Sequence, residues 1–249
     1  MPATVDAVLP AGGRISGDFA AEAGAKVKAL IRFGEVTLLD RAITTLRECG
    51  SIRRIVVVGP EVCREAANLA DGFVQEADSG PENIRRGLAW VGSSHRVLVL
   101  TTDLPFVSAH AINAFLNACP ESSDISVPVL TRQQFESPFP DSPAVYVRLR
   151  DGEWTAGSCY LVNPAAIEAN RASIDRVFAA RKSQFGMARL LGPLIVARFL
   201  TNRLEVRHIE QRCRRILGCT GVAVLNCSPE LAFDIDQPEE YRYAQSLLS

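Results

Sequence analysis

Apolar positions in the first half of the chain fall into short continuous runs separated by stretches with helical spacing. TVDAVLP at 4–10, RRIVVVG at 53–59 and RVLVLTTDLP at 96–105 are three such runs, with a shorter one around Phe73–Gln75. Unalternated β-branched runs suit strands buried on both faces. Between them, VTLLDRAITTLREC places Leu38, Leu39, Ala42, Ile43 and Leu46 on one helical face. Glu61–Ala70 and SAHAINAFLNAC at 108–119 also read as helices, and PENIRRGLAWV at 81–91 opens with the proline and acid of a helix start.

This alternation predicts a three-layer α/β/α, Rossmann-like architecture with a mixed, mainly parallel sheet. A strand order of 3-2-1-4 places the reversal between the first and fourth strands, where such sheets bind ligands beyond the strand carboxyl ends. The end of the first strand, PAGGR, would then face Asp103 across one crevice.

The second half alternates less. DISVPVL at 124–130 reads as a strand, AVYVRLRDGEW as a hairpin turning at Asp151-Gly152, and AGSCYLVN as a return to the sheet. A helical block runs from Pro164 to about Gly218, and GVAVLNC and LAFDIDQPEEY close the chain with strand-like segments and a last helix. The apolar segment Met187–Leu200 carries Arg189 and Arg198 and is too short to span a bilayer. It reads as a buried helix in preference to a membrane-surface segment.

Composition narrows the class. The chain has 249 residues, 47% hydrophobic and 22% charged, with net charge −1. That balance fits a globular protein and gives no electrostatic case for nucleic-acid binding. Asp6 and Pro10 interrupt the N-terminal apolar run, so neither a signal peptide nor a membrane span is expected. Seven cysteines without a CxxC pair point away from a disulfide framework and toward a reducing cytoplasm. The three histidines are dispersed and mark neither a zinc site nor a local catalytic triad.

Paired glycines after a first strand imply close approach of backbone to a ligand, or a tight strand-to-helix turn. Two familiar phosphate loops fail, one on spacing and one on the residues that follow. The adjacent glycines do not make GxGxxG, and Gly12 and Gly17 are followed by Asp18-Phe19 rather than the lysine and hydroxyl of a P-loop.

Five ordered segments fit a third pattern: LPAGGRISG at 9–17, KALI at 28–31, GPENIRRGL at 80–88, TTDLP at 101–105 and FDIDQPEEY at 233–241. Together they resemble the MobA-like nucleotidyltransferases. The resemblance implies a GT-A-like fold in a single domain, 1–249, with the helical block at about 164–218 as an insertion. It also implies transfer of NMP from an NTP to a phosphorylated or hydroxyl-bearing small-molecule acceptor, with Mg2+ and release of pyrophosphate.

The resemblance also implies a site. Pro10 and Ala11 would line the nucleotide site, Gly12 and Gly13 would let backbone N–H groups reach the phosphates, and Arg14 and Lys28 would offset their charge. Asp103 and Asp236 would hold Mg2+, so that Arg14, Lys28 and Asp103 form the catalytic set. Gly80 and Asn83 would meet the nucleobase, although Asn83 also suits a helix start. Gly157 and Lys182 would meet the acceptor; the other reading of Lys182 is a basic helix end.

Departures from the pattern shape the remaining expectations. Gly17 stands where the family carries a second arginine, and extra residues before Lys28 make Lys26 a competitor that the KALI match disfavours. Asp234 and Asp236 alternate along a strand-like segment, which predicts that only one, Asp236, faces the crevice. A glycosyltransferase using a nucleotide-sugar and a non-catalytic nucleotide-binding or regulatory protein are the competing functions; the single aspartate of TTDLP, in place of DxD, disfavours the former. The nucleotide, the acceptor and the oligomeric state stay open.

Overall fold

A computed structural model describes residues 4–92, 95–180 and 183–248. The elements run β1 (Val5–Pro10), α1 (Gly17–Ala23), β2 (Arg32–Phe33), β3 (Val36–Thr37), α2 (Leu38–Glu48), β4 (Ile52–Gly59), β5 (Gly72–Gln75) and α3 (Gly80–Val91). They continue with β6 (Val97–Leu100), α4 (Ala109–Ala118), β7 (Ile125–Thr131), α5 (Arg132–Glu136), β8 (Val147–Leu149), β9 (Gly152–Ala156) and β10 (Cys159–Val162). Five helices follow: α6 (Pro164–Ala169), α7 (Arg171–Ala180), α8 (Gln184–Leu191), α9 (Pro193–Leu200) and α10 (Val206–Leu217). β11 (Gly221–Leu225) and α11 (Pro238–Leu248) complete the chain.

Nine strands form one sheet, ordered β5-β4-β1-β6-β10-β7-β9-β8, with β11 added against β7. β5, β4, β1 and β6 are mutually parallel, which is the expected 3-2-1-4 order, whereas β10 is antiparallel to β6 and begins the mixed half. The apolar stripe of α2 is buried as its spacing predicts, and Thr37 and Asp40 close a reciprocal cap at its start. Such a cap contributes about 1 kcal/mol. α3 lies on the opposite face, where Gly87 lets the helix sit directly on Val8 and Val58. Helices therefore cover both faces and leave the carboxyl ends of β1 and β6 open between them.

Four local expectations are corrected. Glu61–Ala70 forms only a 3-10 turn at Glu61–Cys63 followed by turns, because Cys63 and Ala67 alone are buried while Val62 and Leu69 face solvent. The β8–β9 hairpin pairs Leu149 with Gly152, so its turn is Arg150-Asp151, one residue earlier than expected. LAFDIDQPEEY contributes a 3-10 turn, an irregular segment and the start of α11 rather than a strand. Met187–Leu200 is two short helices broken at Gly192-Pro193, where Gly192 takes φ 85°, and its only buried hydrophobic is Ile195.

The helices after Pro164 divide in two. Ile167 of α6 and Ile174 of α7 join the core behind the sheet, and Asp175 ties α7 to Arg85 of α3 at 2.8 Å. Ile195 of α9 and Leu204 instead build a small separate cluster on Leu149 of β8. Among the described residues no helix is long and apolar enough to cross a membrane.

Candidate active site

β1 hands the chain to Ala11, whose N–H donates to the Val58 carbonyl at 2.7 Å and holds the strand end beside β4. Neither Gly12 nor Gly13 has positive φ, so the glycines answer a need for space, not conformation. A Cβ on Gly12 would strike the Glu76 carboxylate and come within 3.2 Å of Asn83 Nδ2. One on Gly13 would lie 3.3 Å from Lys28 Cδ.

Backbone pairing sets the lysine register. Ile15 N–H donates to the Lys26 carbonyl at 3.1 Å, and Lys28 N–H donates to the Gly13 carbonyl at 3.0 Å. Lys26 is exposed, whereas the Lys28 stem crosses Gly13 and its side chain is only 14% exposed. Its ammonium donates to Asp103 Oδ2 at 3.4 Å and forms an ion pair with Asp236. Burial opposes the charged lysine, but attraction to Asp103 and Asp236 outweighs it and raises the pKa above the ordinary value. Arg14 turns the other way: Nη1 donates to the Gly12 carbonyl at 2.7 Å, and the guanidinium pairs with Glu76.

Asp103 lies three residues beyond the end of β6, and its carbonyl accepts from Ile235 N–H at 3.0 Å. That bond draws the irregular 232–237 segment alongside it. Ligand oxygens of Asp103, Asp234 and Asp236 all lie within 4.8 Å of one another. Both late aspartates thus reach the crevice, contrary to the alternation argument, which fails because the segment is not a strand. Asp234 is half-buried, and its pKa is pushed up to about 6, first by that loss of solvent and then by repulsion from Asp103, against the hydrogen bond it accepts from Ser158. Glu240 accepts from the N–H groups of Asp236, at 2.6 Å, and Gln237, at 2.7 Å, and so fixes the turn that presents Asp236.

These acids fit a divalent cation. Asp103 Oδ1 is buried without a hydrogen-bond partner among the described residues, an expensive condition for a carboxylate oxygen. An orphaned lone pair beside two further carboxylates is the hard oxygen donor set that Mg2+ takes.

Gly157 is buried, and a Cβ there would lie 2.5 Å from the Leu231 carbonyl oxygen and 2.6 Å from Pro128 Cγ. Its demand is close backbone packing, which brings Ser158 Oγ within 2.8 Å of Asp234 Oδ2. Asn83 is buried and its Oδ1 accepts from Ala77 N–H at 2.6 Å, so it holds the loop that carries Glu76. Gly80 is exposed at the start of α3, with Phe178 of α7 3.8 Å from its virtual Cβ. Pro10 ends β1 and Ala11 is buried beneath the loop. Lys182 lies outside the described residues.

Sequence reasoning missed Glu76, Ser158, Glu240 and the joint placement of Asp234. Beside the acids is a cavity of about 140 Å3 lined by Phe135, Val145, Thr155, Asp234, Asp236 and Glu240, among others. A larger one of about 810 Å3 lies at the amino ends of β1 and β6 and includes none of the expected site residues.

A family model of the MobA-like NTP transferase domain matches residues 7–221, the span that holds the glycine loop, Lys28 and Asp103. The chain belongs to the MobA-like NTP transferase family. This MobA-like chain is 27% identical to a hypothetical transferase from Thermus thermophilus, covering 95% of this chain and 99% of that one with a TM-score of 0.84. A nucleotidyl transferase from Methanothermobacter thermautotroptrophicus is 16% identical, covers 98% of this chain and 97% of its own, and has a TM-score of 0.57. A 2-C-methyl-D-erythritol 4-phosphate cytidylyltransferase, also from Thermus thermophilus, is 21% identical, with 98% coverage of both chains and a TM-score of 0.58. The last two likenesses establish the nucleotidyltransferase fold. The MobA-like chain is an enzyme of the nucleotidyltransferase class.

Proposed function

We propose that the protein transfers NMP from an NTP to a phosphorylated or hydroxyl-bearing small molecule, with Mg2+ held by Asp103, Asp236 and Asp234. The observation that carries this reading is the convergence of Lys28 with three carboxylates next to the Gly12-Gly13 loop. In such a transfer an acceptor oxygen attacks the α-phosphorus, the bond to the bridging oxygen breaks, and pyrophosphate leaves with the electron pair. Mg2+ supplies charge neutralisation at the phosphates and a fixed template for them.

The protein's own groups then divide the work. Backbone N–H groups of the glycine loop reach phosphate oxygens without side-chain obstruction. Lys28 would turn from Asp236 to the triphosphate, leaving that carboxylate free to hold the cation, and Arg14 would exchange Glu76 for phosphate with its donor fork. Asn83 and Gly80 shape the nucleoside side through the loop they support. The acceptor enters from the cavity at Thr155 and Val145, with Gly157 acting through the position of Ser158 and Asp234. Seven free cysteines suit a reducing, cytoplasmic setting.

The test is pyrophosphate release from each NTP across a panel of phosphorylated and hydroxylated acceptors, with and without Mg2+. Mg2+-dependent release of pyrophosphate with one nucleotide is expected. Nucleotide-sugar turnover without pyrophosphate would replace the reading with glycosyl transfer, and nucleotide binding without turnover would leave a binding protein.

A further inference from the structure

We propose that α8 and α9 form a docking face for an anionic phospholipid surface. The proposal is independent of the nucleotide reading and concerns the opposite requirement, apolar side chains held in water. Phe185 is 80% exposed, Leu194 63% and Leu200 78%, with Phe199 also exposed. In α9 only Ile195 is buried, and the side turned to solvent consists of Pro193, Leu194, Ala197 and Leu200. A helix of eight residues that shows water an uncharged face inverts the usual amphipathic arrangement. Large apolar side chains held in water along one side of a helix mark an interaction surface.

Charge decides the occupant. Residues 183–204 contain Arg189, Arg198 and Arg203 and no aspartate or glutamate. The acids on the packed elements are already engaged. Glu205 pairs with Arg150 and Arg207, Glu210 accepts from Ala223 N–H at 2.7 Å, and Asp151 accepts from Trp154 Nε1 and Val206 N–H. Asp175 of α7 pairs with Arg85. Arg189, Arg198 and Arg203 form no ion pair among the described residues, so the apolar segment carries a net positive charge of its own. A second copy of the same face would bring like charges together. Nucleic acid would satisfy the arginines but leave the leucines in water. An anionic bilayer answers both, with the apolar side chains entering the headgroup–acyl boundary and the arginines remaining at the phosphates.

Co-sedimentation of the full chain with vesicles tests this without nucleotide. Binding is expected to vesicles of equal phosphatidylglycerol and phosphatidylcholine at low salt, and to fall about tenfold on phosphatidylcholine alone or at high salt. The double variant Leu194→Glu/Leu200→Glu should lose about tenfold in binding while its circular dichroism and melting temperature hold. Should that variant misfold, Arg189→Gln/Arg198→Gln keeps the apolar surface and should weaken only the phosphatidylglycerol-dependent binding. No binding to phosphatidylglycerol vesicles overturns the proposal, as does undiminished binding by a folded double variant. A wild-type dimer that Leu194→Glu/Leu200→Glu dissolves would assign the face to a second copy instead.

Discussion

Lys28 Nζ donates to Asp103 Oδ2 across 3.4 Å, joining the turn that follows the glycine loop to the end of β6. The pair is the closure of the crevice that the reversal in strand order creates. With its ion pair to Asp236, the lysine carries the positive charge among three carboxylates, and phosphate or a cation can each replace one of its interactions.

Removing that charge should therefore have two readouts. Lys28→Ala is expected to weaken NTP binding or turnover about 100-fold, in the range of losing one preorganised charge on a transferring phosphoryl group. Lys26→Ala, at an exposed position whose backbone alone serves the loop, should change either by less than about twofold. The carboxylates left without Lys28 repel one another, so the melting temperature of Lys28→Ala should rise more on adding Mg2+ than that of wild type. Titration calorimetry with NTP and thermal scans with and without Mg2+ check both, and a larger effect at Lys26 would reassign the lysine.

The carboxylates should separate by environment. Asp103→Asn and Asp236→Asn are each expected to lower Mg2+-dependent turnover by about 100-fold or more with secondary structure intact. Asp234→Asn should lower it as well, and without metal it should melt no lower than wild type. Its half-buried carboxylate is costly when charged and is repelled by Asp103, and the neutral amide removes both penalties. Full turnover in a folded Asp103→Asn protein would remove the metal assignment.

Gly12 and Gly13 offer a purely steric prediction. Gly13→Val places branched carbons against the Lys28 stem, where the first already has 3.3 Å. The lysine must shift from the acids, and NTP affinity should fall about tenfold or more, with circular dichroism unchanged. Gly12→Val should do comparable damage by displacing Glu76 from Arg14. Equal affinity in both variants would make the loop a turn and nothing more.

The strands were legible because a strand buried on both faces needs a run of apolar residues; β4 and β6 have unbroken ones, and that of β1 is broken only by Asp6 and ends at Pro10. Gly12, Gly13, Lys28 and Asp103 were legible as a family pattern, and the structure brings the lysine and aspartate together. Glu76 was not, since an acid after a short edge strand has no local signature. It reaches Gly12 through the adjacency of β5, β4 and β1 and a 3.0 Å bond from its N–H to the Gly59 carbonyl. Asp234 was misjudged because a period of two holds only within a strand. Leu194 and Leu200 were misjudged because an apolar segment reads as core whether or not a neighbour covers it, although Gly192-Pro193 already marked a break.

Asp6 supplies a prediction away from the site, where the acid that interrupts the first apolar run turns out to be fully buried. β1 and β4 pair Val5 with Ile52 but Ala7 with Ile55, so Arg53 and Arg54 both oppose the one aspartate across a bulge. Arg53 donates from Nε and Nη2 at 3.0 and 2.6 Å, and Arg54 from the same atoms at 3.3 and 3.1 Å. Burial pushes the carboxyl pKa up, but these hydrogen bonds and charges overcome it and hold the pKa below the ordinary 3.8. A depressed carboxyl pKa stabilises the fold above the unfolded value, and that contribution is lost as pH falls through the folded one. The wild type should thus show no change between pH 7 and pH 5 that arises from this group. Arg53→Ala/Arg54→Ala leaves Asp6 a buried, unpaired carboxylate, a penalty of about 3 kcal/mol at neutral pH. Its Asp6 then favours the neutral form, with a pKa above the unfolded value, so acidification relieves the penalty. Urea unfolding should accordingly show the gap between variant and wild type narrowing from about pH 7 to about pH 4.5. A gap that stays constant or widens over that interval would mean that the arginines do not determine the charge of Asp6.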